Sequence, residues 1–171
     1  MARIIGYDNI NSAAFKINKT HVTADSEPEN SLRNFLASKG FNEVINMPFS
    51  NNTDASIKID NPLDSNRGYL RTTLKDTLIE NLLYNEKRQN ESIKLFEISD
   101  IYSITKDSEI KNEKYLGIVV SGRVGNNYKE FSKKLDHQYL EEHCGLDKNS
   151  IFEISRDGLN TKIKNKIYMA L

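Results

Sequence analysis

Apolar residues recur at two different periods along the chain, and the switches between those periods mark out its elements. Leu32, Phe35 and Leu36 fall at i, i+3 and i+4, the spacing of one helix face, and predict a helix over residues 27–39. Ser26 and Glu29 form a capping box at its start, Pro28 is tolerated in the first turn, and Gly40 supplies a left-handed stop. Leu74, Leu78 and Leu82, spaced by four and flanked by Ile79 and Leu83, predict a second helix. Thr73 caps it, Asp76 lies near its positive end, and Lys87 and Arg88 fall in its last turn. A third helix is expected over residues 131–144, ended by Gly145.

Elsewhere the period drops to two. Residues 43–49 predict a strand with Ile45, Met47 and Phe49 on one face, and Pro48 marks an edge or a strand end. Residues 56–60 read as a short strand carrying Ile57 and Ile59 on one face. Residues 93–104 form a long strand with Phe96, Ile98 and Tyr102 on one parity and Leu95 and Ile101 on the other, so both its faces are covered. Three more strands are expected over 114–122, 150–155 and 166–171, and the charged residues 105–113 make a hairpin-like connection. Strands that follow one another with few helices between them indicate an α+β fold, an antiparallel or mixed sheet with helices packed on it.

Composition narrows the function classes. The 171 residues suit one domain, and 24 basic residues balance 24 acidic ones. Zero net charge argues against gripping nucleic acid by bulk electrostatics alone, and leaves a local basic patch open. The single cysteine, Cys144, rules out an internal disulfide. No apolar run approaches the roughly 20 residues of a membrane span, and the first residues lack a signal-peptide layout. These features fit a cytoplasmic protein.

The loop from Asn61 to Leu74 is unusually patterned. Asn61-Pro62 stiffens its exit, Gly68 permits a corner, and Arg71 precedes the leucine-rich helix. Arg71 is either a phosphate ligand or an arginine that pairs with a carboxylate or loop carbonyls, and the second reading is preferred.

Asn61-Pro62, Leu70-Arg71-Thr72-Thr73-Leu74, Asn85, Arg88 and Leu95-Phe96-Glu97-Ile98, in that order, resemble the β subunit of bacterial phenylalanyl-tRNA synthetase. The opening "ARIIGYDNI" and "KGFNEVINMPF" are similar to further signatures of that family, and the likeness runs through about residue 122. The resemblance implies a class II aminoacyl-tRNA synthetase-like domain, an antiparallel sheet flanked by helices, in a copy that has lost catalysis. It implies that residues 1–25 are the tail of a preceding B5-type domain plus a connector, and that 26–171 form a class II-like core cut short at its C-terminus. The abrupt start and the apolar Met169-Ala170-Leu171 ending agree with cut ends.

The family joins phenylalanine to its tRNA using ATP and magnesium, as an assembly of two α and two β subunits. The resemblance therefore implies the α subunit and tRNA(Phe) as partners of the complete enzyme. It implies no ATP, magnesium or catalytic residue on this segment, because the family's magnesium ligands would lie upstream of Met1. An active class II domain carries an arginine on the ATP α-phosphate at the end of the strand that here ends Tyr102-Ser103-Ile104. Structural or interface roles fall to Asn61, Pro62, Gly68, Arg71, Leu78, Leu82, Phe96 and Glu97. Leu78/Leu82 and Ile79/Leu83 give the second helix two leucine-bearing faces, a candidate contact surface.

Two other readings come from the residues themselves. His143-Cys144 invites a metal or thiol role, but adjacent helix residues point about 100° apart. Lys129, Lys133 and Lys134 surround Phe131, a basic–aromatic cluster able to touch RNA, yet Glu130 and Asp136 interleave and favour a solvated helix start. The rival functions are a free-standing binding or regulatory module and a self-contained ATP-dependent ligase.

Overall fold

In the computed structural model, residues 27–51, 57–125, 127–159 and 163–171 are described. They form α1 (Glu27–Ser38), β1 (Asn42–Glu43), β2 (Phe49–Ser50), β3 (Tyr69–Leu70), α2 (Lys75–Glu86), β4 (Ser92–Ile104), β5 (Ile110–Gly122), α3 (His137–Cys144), β6 (Ile151–Ile154) and β7 (Ile167–Ala170). Residues 1–25, the expected preceding domain and connector, lie outside the described residues, as does the cap residue Ser26.

The main sheet has the order β1-β4-β5-β7-β6. Its neighbours are antiparallel except that β1 runs parallel to β4, so the α+β fold holds a mixed sheet. The β4–β5 hairpin is its spine, paired from Ser92 with Gly122 to Ile104 with Ile110. The expected 105–113 connection is therefore shorter than the charge pattern implies, with Thr105 and Glu109 closing the turn at 2.9 Å.

Strand alternation produces two cores. Phe96, Ile118, Val120 and Tyr168 face one side, where they meet Leu36 of α1 and Tyr139 and Leu140 of α3. Leu95, Val119, Ile167 and Met169 face the other side, against Leu74, Leu78 and Leu82. Gly117 lets α2 come this close, since a Cβ there would lie 2.6 Å from Leu78 Cδ1 and 3.2 Å from Leu74 Cβ. Gly40 and Gly145 end α1 and α3 with φ of 81° and 67°, as expected.

Several sequence expectations change. Of residues 43–49 only Glu43, next to Asn42, joins the main sheet and Phe49 belongs to β2, while Ile45 is 92% exposed with Met47 also outside. Over residues 43–47 the alternation is real but its polarity is reversed: Val44 and Asn46 are half-buried and Glu43, Ile45 and Met47 are exposed, while Phe49, in β2, is half-buried. The third helix begins at His137 rather than 131, because residues 133–135 bond back to the end of β5. Val124 N–H donates to Lys133 O at 3.0 Å and Leu135 N–H to Gly122 O at 2.9 Å. Phe35 is exposed beside the buried Leu36, and Lys87 and Arg88 fall just past α2. The Thr73 hydroxyl accepts the Lys75 N–H at 3.2 Å, so Thr73 serves the start of α2 from one residue before Leu74.

Candidate functional site

The patterned loop is built by Asp64. Its carboxylate accepts the Asn66 N–H at 2.9 Å and its carbonyl accepts the Arg67 N–H at 3.0 Å, a side-chain-stabilised turn. Ile59 N–H to Gly68 O at 2.8 Å and Leu70 N–H to Ile57 O at 2.9 Å close the base, and β2 pairs with β3. Gly68 is not the corner that its type implies. Its φ is not left-handed, and an added Cβ would meet only Pro62 Cγ at 3.9 Å and Ser65 O at 4.0 Å. Asn61 and Pro62 line an apolar concavity of about 570 Å³ with Met47, Phe49, Ile59 and Leu63, and Leu63 is fully exposed.

Arg71 leads out of this loop and turns inward. Its backbone N–H donates to Pro48 O at 2.9 Å and its carbonyl accepts the Tyr102 N–H at 3.0 Å, fixing the residue between the loop and β4. Its side chain donates to Glu97 at 2.7 Å and to the Asp100 carbonyl at 3.1 Å. The Arg71 and Glu97 side chains are 3% and 2% exposed. The second Glu97 oxygen accepts from Asn46 at 2.7 Å, and Asn46 Oδ1 accepts from Asn81 of α2 at 2.6 Å. One polar chain therefore joins the loop, β4, the segment after β1 and α2. The carboxylate-and-carbonyl reading of Arg71 matches this geometry.

The remaining candidates sort by burial. Phe96 sits in the core beneath α1 and α3. Leu78 and Leu82 have no exposed surface and face the chain's own sheet, while Ile79 and Leu83 pack against the same core and stay partly exposed. The sheet beneath α2 takes the Leu78/Leu82 row completely and the Ile79/Leu83 row in part. At the end of β4, Ser103 is exposed opposite Lys111, whose ammonium is engaged by Glu113 at 2.7 Å. Among the described residues no group of three or more His, Cys, Asp or Glu could hold a metal ion. His143 stacks on Tyr139 at 4.3 Å and its Nδ1 lies 3.1 Å from the Tyr139 carbonyl, which accepts from the Nδ1–H tautomer, while burial pushes the Cys144 thiol up to about 11.

Sequence reading missed Asn46, Asn81 and a second buried pair. Arg156 donates in a fork to Glu86, at 3.0 and 2.6 Å, and Ser121 bonds the same carboxylate at 3.3 Å. The signal for Glu86 was available. It continues the Leu74, Leu78, Leu82 series by four more residues, onto the buried row of α2.

Residues 12–145 match the phenylalanyl-tRNA synthetase β chain CLM domain. The chain belongs to this family. It is similar to the phenylalanine–tRNA ligase β subunit of Mycoplasma capricolum, 30% identical over 169 residues that cover 90% of this chain and 20% of that protein. The Fusobacterium nucleatum β subunit is 32% identical over 179 residues, covering 92% of this chain and 22% of that protein. The chain thus spans about a fifth of the length of these curated relatives. Among solved structures it resembles PylSc, a pyrrolysyl-tRNA synthetase of Desulfitobacterium hafniense, with a TM-score of 0.54 and 16% identity, over 87% of this chain and 66% of that one. That likeness concerns the fold, which is class II synthetase-like. No helix among the described residues is long and apolar enough to cross a membrane. The CLM-domain match fits a β-subunit segment with an assembly role rather than a catalytic one.

Proposed function

We propose that this chain serves a cytoplasmic phenylalanine–tRNA ligase as a non-catalytic assembly segment of its β subunit. In this reading residues 26–171 are the class II-like core and 1–25 belong to the preceding domain and connector. The complete enzyme, two α and two β subunits, uses ATP and magnesium to join phenylalanine to its tRNA. This segment holds no cofactor of its own.

The observation that carries the reading is the burial of Arg71. A guanidinium that held a nucleotide phosphate would need an open face, and this one is consumed by Glu97 and the Asp100 carbonyl. The arrangement supports a rigid platform in place of an active site. Since Leu78 and Leu82 are internal, the surface offered to the α subunit is the apolar concavity around Met47, Phe49, Ile59, Pro62 and Leu63.

Co-expression with the α subunit of the same organism, followed by pull-down and a sizing column, tests this. Stable co-elution is expected, and Leu63→Asp should weaken it at least tenfold while leaving the thermal midpoint of the chain unchanged. Arg71→Ala should lower stability without altering ATP affinity at the α site. A folded chain that ignores the α subunit would overturn the assembly role and favour a free-standing module.

A further inference from the structure

We propose that Lys94, on β4 where α1 and α3 close over the sheet, is a site of N-acylation by small acyl phosphates, and that the fold accepts the neutral amide there. Ile93 and Leu95 are anchored in the core beneath α2, so strand alternation fixes Lys94 on the other face, with Phe96. Its cross-strand partner is Val120 of β5. Phe96 and Val120 both lie in the core covered by α1 and α3, and Lys94 itself is half-buried. Its ammonium stands 5.4 Å from the centroid of the Tyr139 ring of α3, which stacks on His143 at 4.3 Å. Gly40, the left-handed stop of α1, is also beside it, since a Cβ there would lie 3.6 Å from Lys94 Nζ. Residue 40 therefore sets no side chain against the amine.

Lys94 differs from the lysines that the fold engages in ion pairs. Lys111, Lys114 and Lys166 meet Glu113, Glu29 and Glu153 at 2.7, 2.7 and 2.9 Å. Among the described residues no carboxylate pairs with Lys94, and an aromatic face stands in place of a counter-ion. Burial holds the ammonium below its usual 10.5, against smaller opposing effects of Glu130 and Cys144. The titratable groups around it are Glu130 from the loop before α3 and Tyr139 and Cys144 from α3, with Lys39 at the end of α1 acting on the same thiol. Burial raises both the Cys144 thiol, to about 11, and the Tyr139 phenol. These two stay protonated near neutral pH, and the lysine is the nucleophile of the cluster. A lysine that holds an anion gains from staying charged, and burial here works against the charge.

The step needs only the amine and the acyl phosphate. The neutral Lys94 Nζ attacks the carbonyl carbon and an N–C bond forms. The C–O bond to phosphate breaks, and phosphate leaves with the electron pair and takes up the proton that the amine gives away. The product is an uncharged amide. At Lys94 acylation removes a desolvated charge that no carboxylate compensates, whereas at Lys114 it would break the bond to Glu29.

The proposal stands on this seam and is independent of docking to the α subunit. In the test, the 171-residue chain is exposed to acetyl phosphate, and the acetylation rate of each lysine is followed by peptide mass spectrometry. Lys111 and Lys166 are the internal references, because Glu113 and Glu153 hold their ammonium groups above the usual range. At about pH 8 Lys94 should react at least about fivefold faster than either, since the neutral fraction of an amine below its pKa changes about tenfold for each unit of pKa. Its rate should also level off at a lower pH than theirs, which a merely accessible lysine would not do. In concentrated urea the advantage should vanish. Lys94→Gln, a neutral amide without the reagent, should keep the thermal midpoint of the wild type. Labelling of Lys94 no faster than that of Lys111 and Lys166, an advantage that survives in urea, or a lowered midpoint for Lys94→Gln would each overturn the proposal.

Discussion

Two buried arginine–glutamate pairs hold this fold, and they are built differently. Arg71 and Glu97 are both sealed, at 3% and 2% exposure, and their neighbours Asn46 and Asn81 extend the contact into a chain that joins the loop, β4, the segment after β1 and α2. Arg156 grips Glu86 with two prongs, but the arginine is 18% exposed while the glutamate is 2%. Glu86 also has Ser121 and further partners of its own. The first pair is a closed electrostatic unit in which each charge depends on the other. The second is a clasp whose arginine keeps access to water, closing the end of α2 against β5 and the segment before β7. Burial of a charge is costly, so the value of either pair lies less in attraction gained than in what happens when one member is removed.

The largest effect is therefore expected at Glu97. Glu97→Ala leaves the Arg71 guanidinium buried with only the Asp100 carbonyl, and should cost about 3–5 kcal/mol in urea unfolding. The double variant Arg71→Met with Glu97→Leu removes both charges and should recover most of that loss. If the double variant is as unstable as the single one, the pair does more than neutralise itself, and the asparagines become the place to look. Arg156→Ala should cost less, about 1–3 kcal/mol, because Ser121 and water can still serve Glu86. Equal losses at Glu97 and Arg156 would end the distinction between a closed unit and an open clasp.

The two pairs were unequally legible. Arg71 was legible as an arginine that pairs with a carboxylate or loop carbonyls, and Glu97 was singled out by the family resemblance, but neither was read as the other's partner. Glu86 was readable in principle as the fourth member of the leucine row, but its partner Arg156 is 70 residues away in a polar segment with no periodicity. The same divide runs through the fold. α1, α2, β4 and the glycine stops follow from local periodicity and backbone chemistry. The 43–49 strand and the start of α3 do not, because each is decided by a distant hydrogen bond: Asn46 to Glu97 in one case, Leu135 to Gly122 in the other. The apolar count of α2 was right, and its Leu78/Leu82 row is covered by the chain's own sheet. Periodicity reports that a face is buried without saying what buries it.

A surface pair supplies the third point of the comparison and the smallest expected effect. Glu29 on α1 meets Lys114 of β5 at 2.7 Å and Arg33 at 2.6 Å, with all three side chains partly in water. The Lys114 ammonium, then the Arg33 guanidinium, hold the Glu29 carboxyl below its usual 4.5. A depressed folded-state value means the stabilisation is present above that pH and is lost as the pH falls through the folded value. Glu29→Gln should cost less than about 1 kcal/mol at pH 7 and low salt. The difference should vanish in molar salt and in acid, since exposed charges are screened and a protonated carboxyl no longer attracts Lys114. The loss from Glu97→Ala should persist in molar salt, because ions do not reach Arg71. A salt-sensitive Glu97→Ala would mean that water enters the Arg71 site, and the sealed pair would then join the open one.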